Sequence, residues 1–161
     1  MAETFFTSDQ HFFHYNIIKY CSRPFESVEE MNEVMIERWN AVVKPDDIVY
    51  HLGDFSLSTV SAAHGICCRL NGTKYLIRGN HDANAARMMA VGFKEVYKKM
   101  IWNGWWLVHR PRSAPDEATN VLHGHTHDKQ RRIGAIINVS VEQHNYYPVT
   151  LDQLLKVSEG P

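Results

Sequence analysis

Aspartate, histidine and asparagine recur in this sequence at the ends of short apolar runs, where a strand needs no such side chains in order to fold. Asp9-Gln10-His11 follows Phe5-Phe6, Gly53-Asp54 follows the run from Ile48 to Leu52, and Gly79-Asn80-His81-Asp82 follows Lys74 to Arg78. Later, His109 ends a Trp-rich segment and Gly124-His125-Thr126-His127 follows Val121 to His123. An Asp-x-His pair sets a hard carboxylate and an imidazole two residues apart, so both can reach one divalent cation where the chain turns away from a strand. Asp9, His11, Asp54, Asn80, His109, His125 and His127 are all standard oxygen or nitrogen donors to such an ion. Seven donors exceed the needs of one ion and suit two ions that share a bridging carboxylate. Taken singly, each has an ordinary alternative as turn chemistry or a hydrogen-bonded histidine. Their common placement at strand ends is what sets them apart.

The elements that must position these residues alternate in the first half. Thr4 to Ser8 reads as a strand, Ser27 opens a helix with Glu30 in capping-box position, and Val28, Met31, Met35 and Trp39 form its apolar face. Ile48 to Leu52 is a second strand, Thr59 to Leu70 a helix stopped by Asn71-Gly72, Lys74 to Arg78 a third strand and Ala83 to Val91 a short helix. This order predicts a layered α/β domain with a largely parallel sheet, whose ligands bind beyond the C-terminal strand ends. The second half changes character. Phe93 to Ile101 and Trp105 to His109 flank Asn103-Gly104, a hairpin signal. Closing strands fall within Arg131 to Val141, Tyr146 to Val149 is a further candidate strand, and Leu151 to Val157 reads as a terminal helix or turn. The stretch from Phe12 to Phe25 reads as a loop. Its aromatics make either a satellite core or the wall of a substrate pocket, with His14, Asn16 and Arg23 as its polar groups and His14 or Arg23 placed to meet an anion.

With 161 residues, one domain with a substantial core is expected. The balance of 17 Lys+Arg against 18 Asp+Glu leaves none of the basic footprint that duplex DNA binding requires. Neither a membrane-length apolar run nor a signal-peptide pattern is present, which places the expected protein in the cytoplasm. Three cysteines, Cys21 and the adjacent Cys67-Cys68, fit no disulfide framework or Cys-rich zinc site and are expected to be buried thiols.

Asp9-x-His11, Gly53-Asp54, Gly79-Asn80-His81-Asp82, the later His109 and Gly124-His125-Thr126-His127 together resemble the ordered motifs of the calcineurin-like metallophosphoesterase superfamily over essentially the whole chain. Asp9 to His11, His14 to Asn16 and Cys21 to Phe25 are similar to features of its small single-domain bacterial and phage members. The resemblance implies a four-layer αββα sandwich with mixed sheets. It implies one metal on Asp9, His11, Asp54 and His127, a second on Asp54, Asn80, His109 and His125, and His81 as general acid towards the leaving group. The two divalent ions are expected to be manganese, with iron, zinc or nickel as alternatives. Together they activate a bridging water for in-line attack on phosphorus. Arg110 or Arg112, after His109, either binds substrate phosphate or lies on an exposed loop. The expected substrate is a small phosphoester, with nucleotides and cyclic nucleotides included. The alternatives are a nuclease on short or single-stranded nucleic acid ends and a metal-bound binding module without turnover.

Overall fold

Side chains of adjacent residues in a strand point to opposite faces, and in this protein the two faces serve different cores. In the computed structural model, which describes residues 1–161, Phe5 and Phe6 sit side by side in strand β1 (Thr4–Thr7). Phe5 packs into a cluster with the helices, whereas Phe6 packs into a second cluster between two sheets. The same division holds for Val49 and Leu52 at β2 (Ile48–His51), and for Leu76 and Ile77 of β3 (Thr73–Ile77). Complete burial of Phe6 stabilises the sandwich by roughly 1.5–3 kcal/mol.

β1, β2, β3 and β4 (Glu95–Tyr97) form the first sheet in that order, with every pair parallel. Its outer face is covered by α1 (Tyr15–Tyr20), α2 (Val28–Val42), α3 (Val60–Arg69) and α4 (Ala85–Val91). Ser27, Thr59 and Asn84 cap the last three, each accepting a backbone N–H three residues on. Met31, Met35 and Trp39 are buried along α2, as their spacing predicts. The second sheet runs β5 (Met100–Trp102), β6 (Trp105–Val108), β7 (Val121–His123), β9 (Ile136–Asn138), β8 (Arg132–Ile133). Its central β6, β7 and β9 are parallel, and the edge pairs are antiparallel.

The result is the expected four-layer αββα sandwich, with outer layers of unequal weight. On the second sheet, the outer layer is reduced to a 3₁₀ turn, Pro111–Ser113, against β7, whereas the short α5 (Leu151–Leu155) packs against β1 and buries Leu154 in the cluster between the sheets. Arg132 of β8 donates to the Leu155 and Val157 carbonyls and ties α5 to that edge. Ile101 and Ile133 remain exposed on the outer face of the second sheet. No helix is long and apolar enough to cross a membrane.

Three sequence expectations need correction. The stretch from Phe12 to Phe25 contains α1, a six-residue helix whose N-cap His14 makes no side-chain cap bond, so no sequence signal marks its start. The run from Phe93 to Ile101 is two strands in different sheets, and Lys98-Lys99 carries the chain from one sheet to the other. Tyr146 to Val149 contributes a single antiparallel bridge, Phe6 to Val149, instead of a strand. The Asn103-Gly104 hairpin is present, with φ of 46° and 80° at its two turn residues.

Candidate metal centre

Each strand that carries a proposed donor runs parallel to another donor-carrying strand of its sheet, so their C-terminal ends meet at one edge of the sandwich. The two sheets are tied together at that edge by the Ser8–Ser140 bridge. Asp9, Asp54 and Asn80 follow β1, β2 and β3, whereas His109 and His125 follow β6 and β7. Asp9, His11, Asp54, His125 and His127 have φ of 61°, 52°, 60°, 72° and 50°. The left-handed region is uncommon for residues with a Cβ, and its concentration here is a recognised mark of functional sites. Asp82 supports this loop geometry. Its carboxylate accepts the backbone N–H groups of Asp54, Phe55 and Gly79 at 2.8, 2.9 and 2.7 Å, which joins the β2 and β3 termini.

Donor atoms of Asp9, His11 and His127 all lie within 4.8 Å of one another, and so do those of Asp54, His109 and His125. Asp54 joins the two groups through one oxygen. Its Oδ2 is 3.5 Å from His11 Nε2 and 3.3 Å from His109 Nε2, while its Oδ1 accepts the His81 backbone N–H at 2.8 Å. Ligand atoms around one tetrahedral ion with bonds near 2.1 Å are separated by about 3.4 Å, so these spacings suit coordination. Asn80 Oδ1 lies 2.9 Å from His109 Nε2 and adds an oxygen to the second group. This buried cluster can coordinate two metal ions near each other.

The hydrogen bonds already present leave the right atoms free. Asp9 Oδ2 accepts from Ser8 Oγ, Ser140 Oγ and the His125 backbone N–H at 2.5, 3.1 and 2.9 Å. Asp9 Oδ1 and His11 Nε2 are buried without any partner, 3.7 Å apart. A buried polar atom without a partner costs about 1–3 kcal/mol, and two facing one point are accounted for by a cation between them. Tautomers agree. His109 Nδ1 donates to the Leu52 carbonyl at 2.7 Å, and His127 Nδ1 lies 2.9 Å from Glu142 Oε2. In both rings this contact places a proton on Nδ1, so that loss of the other proton on ion binding leaves the Nε2 lone pair facing the centre.

Electrostatics of the ion-free chain point the same way. Burial pushes the Asp9 and Asp54 carboxyls up, yet histidine contacts (His11 for Asp9, His109 and His11 for Asp54) hold both well below the usual carboxylate range. Burial lowers His127, but Cys21, Glu142 and the Asp9 charge outweigh it and push the imidazole up to about 10. Imidazolium protons thus offset the carboxylates where divalent cations would replace them, so ion binding releases protons.

His81 stands outside both groups. Its exposed ring is 5.3 Å from that of His11 and 6.1 Å from that of His14, at the mouth of the centre. His14 Nδ1 is 3.0 Å from His11 Nδ1, and burial together with the neighbouring His11 and His81 lowers its pKa to about 4. Asn16 is exposed on α1 and its side chain makes no hydrogen bond within the chain. Arg110 is exposed beside the centre.

Arg23 does not face an anion site. Its guanidinium is turned inward, donating to the Asp9 and Gln10 carbonyls at 2.6 Å and to Glu142 at 2.8 Å, with no exposed surface. It therefore holds the backbone of the Asp9–His11 loop and the carboxylate that orients His127. Sequence reasoning missed Glu142, Ser8 and Ser140, and an arginine embedded in an aromatic stretch was the only signal that pointed towards such a partner. The cysteine expectation is also corrected. Cys67 is buried, Cys68 is exposed, and half-buried Cys21 lies within 4.8 Å of His127 and Glu142 donor atoms.

No family model matches the chain. It is 42% identical over 172 residues to the uncharacterized protein MJ1445 of Methanocaldococcus jannaschii, covering 99% of this chain and 93% of that protein. It is 39% identical over 85 residues to the gene 66 protein of Mycobacterium phage L5, covering 51% of this chain and 41% of that protein. Among solved structures, AQ665 of Aquifex aeolicus, a protein of unknown function, superimposes with a TM-score of 0.76 at 28% identity, covering 97% and 99% of the two chains.

Proposed function

We propose that this chain, which belongs to the family of the uncharacterized protein MJ1445, is a dinuclear-metal phosphoester hydrolase of the calcineurin-like superfamily. One observation carries the reading. A single Asp54 oxygen lies between His11 and His109 at 3.5 and 3.3 Å, beside two buried donor atoms that have no partner. Asp9, His11, Asp54 and His127 would hold one ion, and Asp54, Asn80, His109 and His125 the other. Their mixed nitrogen and oxygen donors suit manganese, iron, zinc or nickel better than calcium. When bound, such a pair supplies an activated water and offsets charge on phosphoryl oxygens.

The protein's own residues supply the rest. Asp54, fixed through Oδ1 by the His81 backbone, sets the separation of the two half-sites. Gly79 brings that backbone into place, since any Cβ there would run into the Asp54 carboxylate. His81, outside the donor set and exposed at the mouth, is placed to protonate the departing oxygen. Water oxygen bonds to phosphorus, the ester P–O bond breaks, and the leaving oxygen takes a proton from the imidazole. General acid catalysis of this kind contributes on the order of 10²-fold or more.

Metal content and hydrolysis of bis(p-nitrophenyl) phosphate and p-nitrophenyl phosphate with added manganese test the reading, alongside His81→Gln. Two ions per chain, hydrolysis of at least one ester and a turnover loss of about 10² in the variant at full metal content are expected. Two bound ions with hydrolysis of neither ester would identify a binding module instead. An unchanged rate with a poor leaving group would remove His81 from the chemistry.

A further inference from the structure

Five of the nine arginines in this chain are satisfied internally, while Arg87 and Arg112 lie exposed without a side-chain hydrogen bond. Arg23, Arg38, Arg69, Arg131 and Arg132 all donate hydrogen bonds to groups of the protein. Arg78 and Arg110 make none with their side chains and belong to no ion pair, and the same is true of Lys98. These three cations line one cleft of about 280 Å³ with Asn80, His109 and Ser113, and no apolar side chain contributes to it. Their placement follows from the topology. Arg78 and Lys98 stand one residue beyond the paired ends of the parallel strands β3 and β4, which run about 4.8 Å apart. Arg110 arrives from the second sheet, directly after His109.

Three like charges held together without a counter-anion repel one another, and no carboxylate lines the cleft. An anion bridging them removes that cost. Guanidinium and ammonium groups are the usual partners of phosphate, and the absence of an aromatic or aliphatic wall argues against a base or acyl group there. Arg110 also lines a neighbouring cavity of about 480 Å³ that reaches His125 and includes Ile133 and Ile136. That space suits the organic part of a substrate.

Building on the hydrolase reading above, we infer that the substrate carries a second phosphate next to the one attacked, held by Arg78, Lys98 and Arg110 on the Asn80–His109 side of the centre. Two kinds of molecule present that chemistry. In a nucleoside polyphosphate the second phosphate is linked by an anhydride, whereas in a short oligonucleotide it is the next diester along the strand.

The manganese-loaded protein and its Arg78→Gln, Lys98→Gln and double variants test this in binding and in turnover. Calorimetric titration compares methylenediphosphonate with methylphosphonate, and melting temperatures check that the variants fold. The wild type should prefer the bisphosphonate by about tenfold or more, and the double variant should bring that ratio close to one. In turnover, the ratio of kcat/KM for ATP, or for a 5′-phosphorylated trinucleotide, to that for bis(p-nitrophenyl) phosphate should fall by about tenfold or more in the double variant. Whichever of the two substrates shows that fall names the source. A wild type that hydrolyses bis(p-nitrophenyl) phosphate without preferring the bisphosphonate, or a preference that survives both substitutions, overturns the second-phosphate site and leaves the hydrolase reading standing. A bisphosphonate preference lost in the double variant, with no ester hydrolysed by the wild type, supports the anion site and removes the hydrolase reading.

Discussion

The two sheets meet at the candidate metal centre with different chemistry and different support. The parallel sheet, packed under four helices, delivers the oxygen donors Asp9, Asp54 and Asn80 together with His11. The mixed sheet, thinly covered on its outer face, delivers only imidazoles, His109, His125 and His127. Negative charge is thus fixed on the well-packed side and neutral nitrogen donors on the other, so ions at this edge would clamp the two sheets together. The comparison teaches that donor precision does not require a heavy outer layer. His109 and His127 are aligned by single contacts to Leu52 and Glu142, and neither contact depends on the exposed face of the second sheet.

Removing the shared oxygen should break this arrangement most completely. Asp54→Ala is expected to lose both ions and all turnover, whereas His125→Ala, which removes one imidazole of one half-site, should lose one ion. Elemental analysis after dialysis separates the two results, and equal losses would show that the sheets do not contribute separable half-sites. A smaller effect is expected at Glu142→Gln, which keeps the shape but weakens the contact to His127. Affinity for the ion on Asp9, His11 and His127 should fall by about 10- to 100-fold, with the other ion retained, as metal titration would report.

Smaller again, per pH unit, is the acid response of the parallel sheet. Burial holds His51 near a pKa of about 3 against an ordinary 6.5, with its Nε2 2.5 Å from Gln10 Oε1 and its Nδ1 accepting the Gly53 N–H. A lowered folded pKa favours the neutral ring. Stability from this residue is therefore complete above pH 6.5 and declines as pH falls towards 3, by about 1.4 kcal/mol per pH unit for each proton taken up. Denaturant titrations of chelator-treated protein should show that slope, and His51→Gln should make it shallower. An unchanged slope would assign acid lability to other groups. The smallest effect belongs to the exposed face of the mixed sheet, where Ile101→Thr should shift stability by less than about 0.5 kcal/mol in the same titrations. A larger loss would mean that this face is packed against something in solution.

Much of the site was legible because its donors are short-range features. Each stands just past a strand, and Asp, Asn and His are the non-glycine residues best suited to the left-handed backbone used there. What stayed hidden is long-range. Arg23 and Glu142 are 119 residues apart in sequence and touch only once the sandwich closes, so nothing local to Arg23 distinguishes an inward brace from an anion-binding side chain. The fold was read correctly in its alternation of strands and helices, and missed where an element was too short to leave a period. Helix α1 has six residues, and β4 and β5 have three each, too few for apolar spacing to separate them. Asp82 was legible only as a member of the Gly79-Asn80-His81-Asp82 stretch, because the backbone N–H groups of Asp54 and Phe55 that its carboxylate accepts come from another strand end.

The crowding at Gly79 and Gly124 carries a meaning beyond this one chain. A methyl group at Gly79 would collide with the Asp54 carboxylate, and one at Gly124 would meet Ser8 Oγ and Asp9 Oδ2. At these two points a main chain is itself the packing partner of a donor carboxylate, so the allowed alphabet shrinks to one letter for reasons of volume. Gly-Asn-His-Asp and Gly-His-Thr-His therefore spell out a distance as well as a chemistry. A search that keeps the donors and lets those two letters vary would accept sequences whose carboxylates have nowhere to stand.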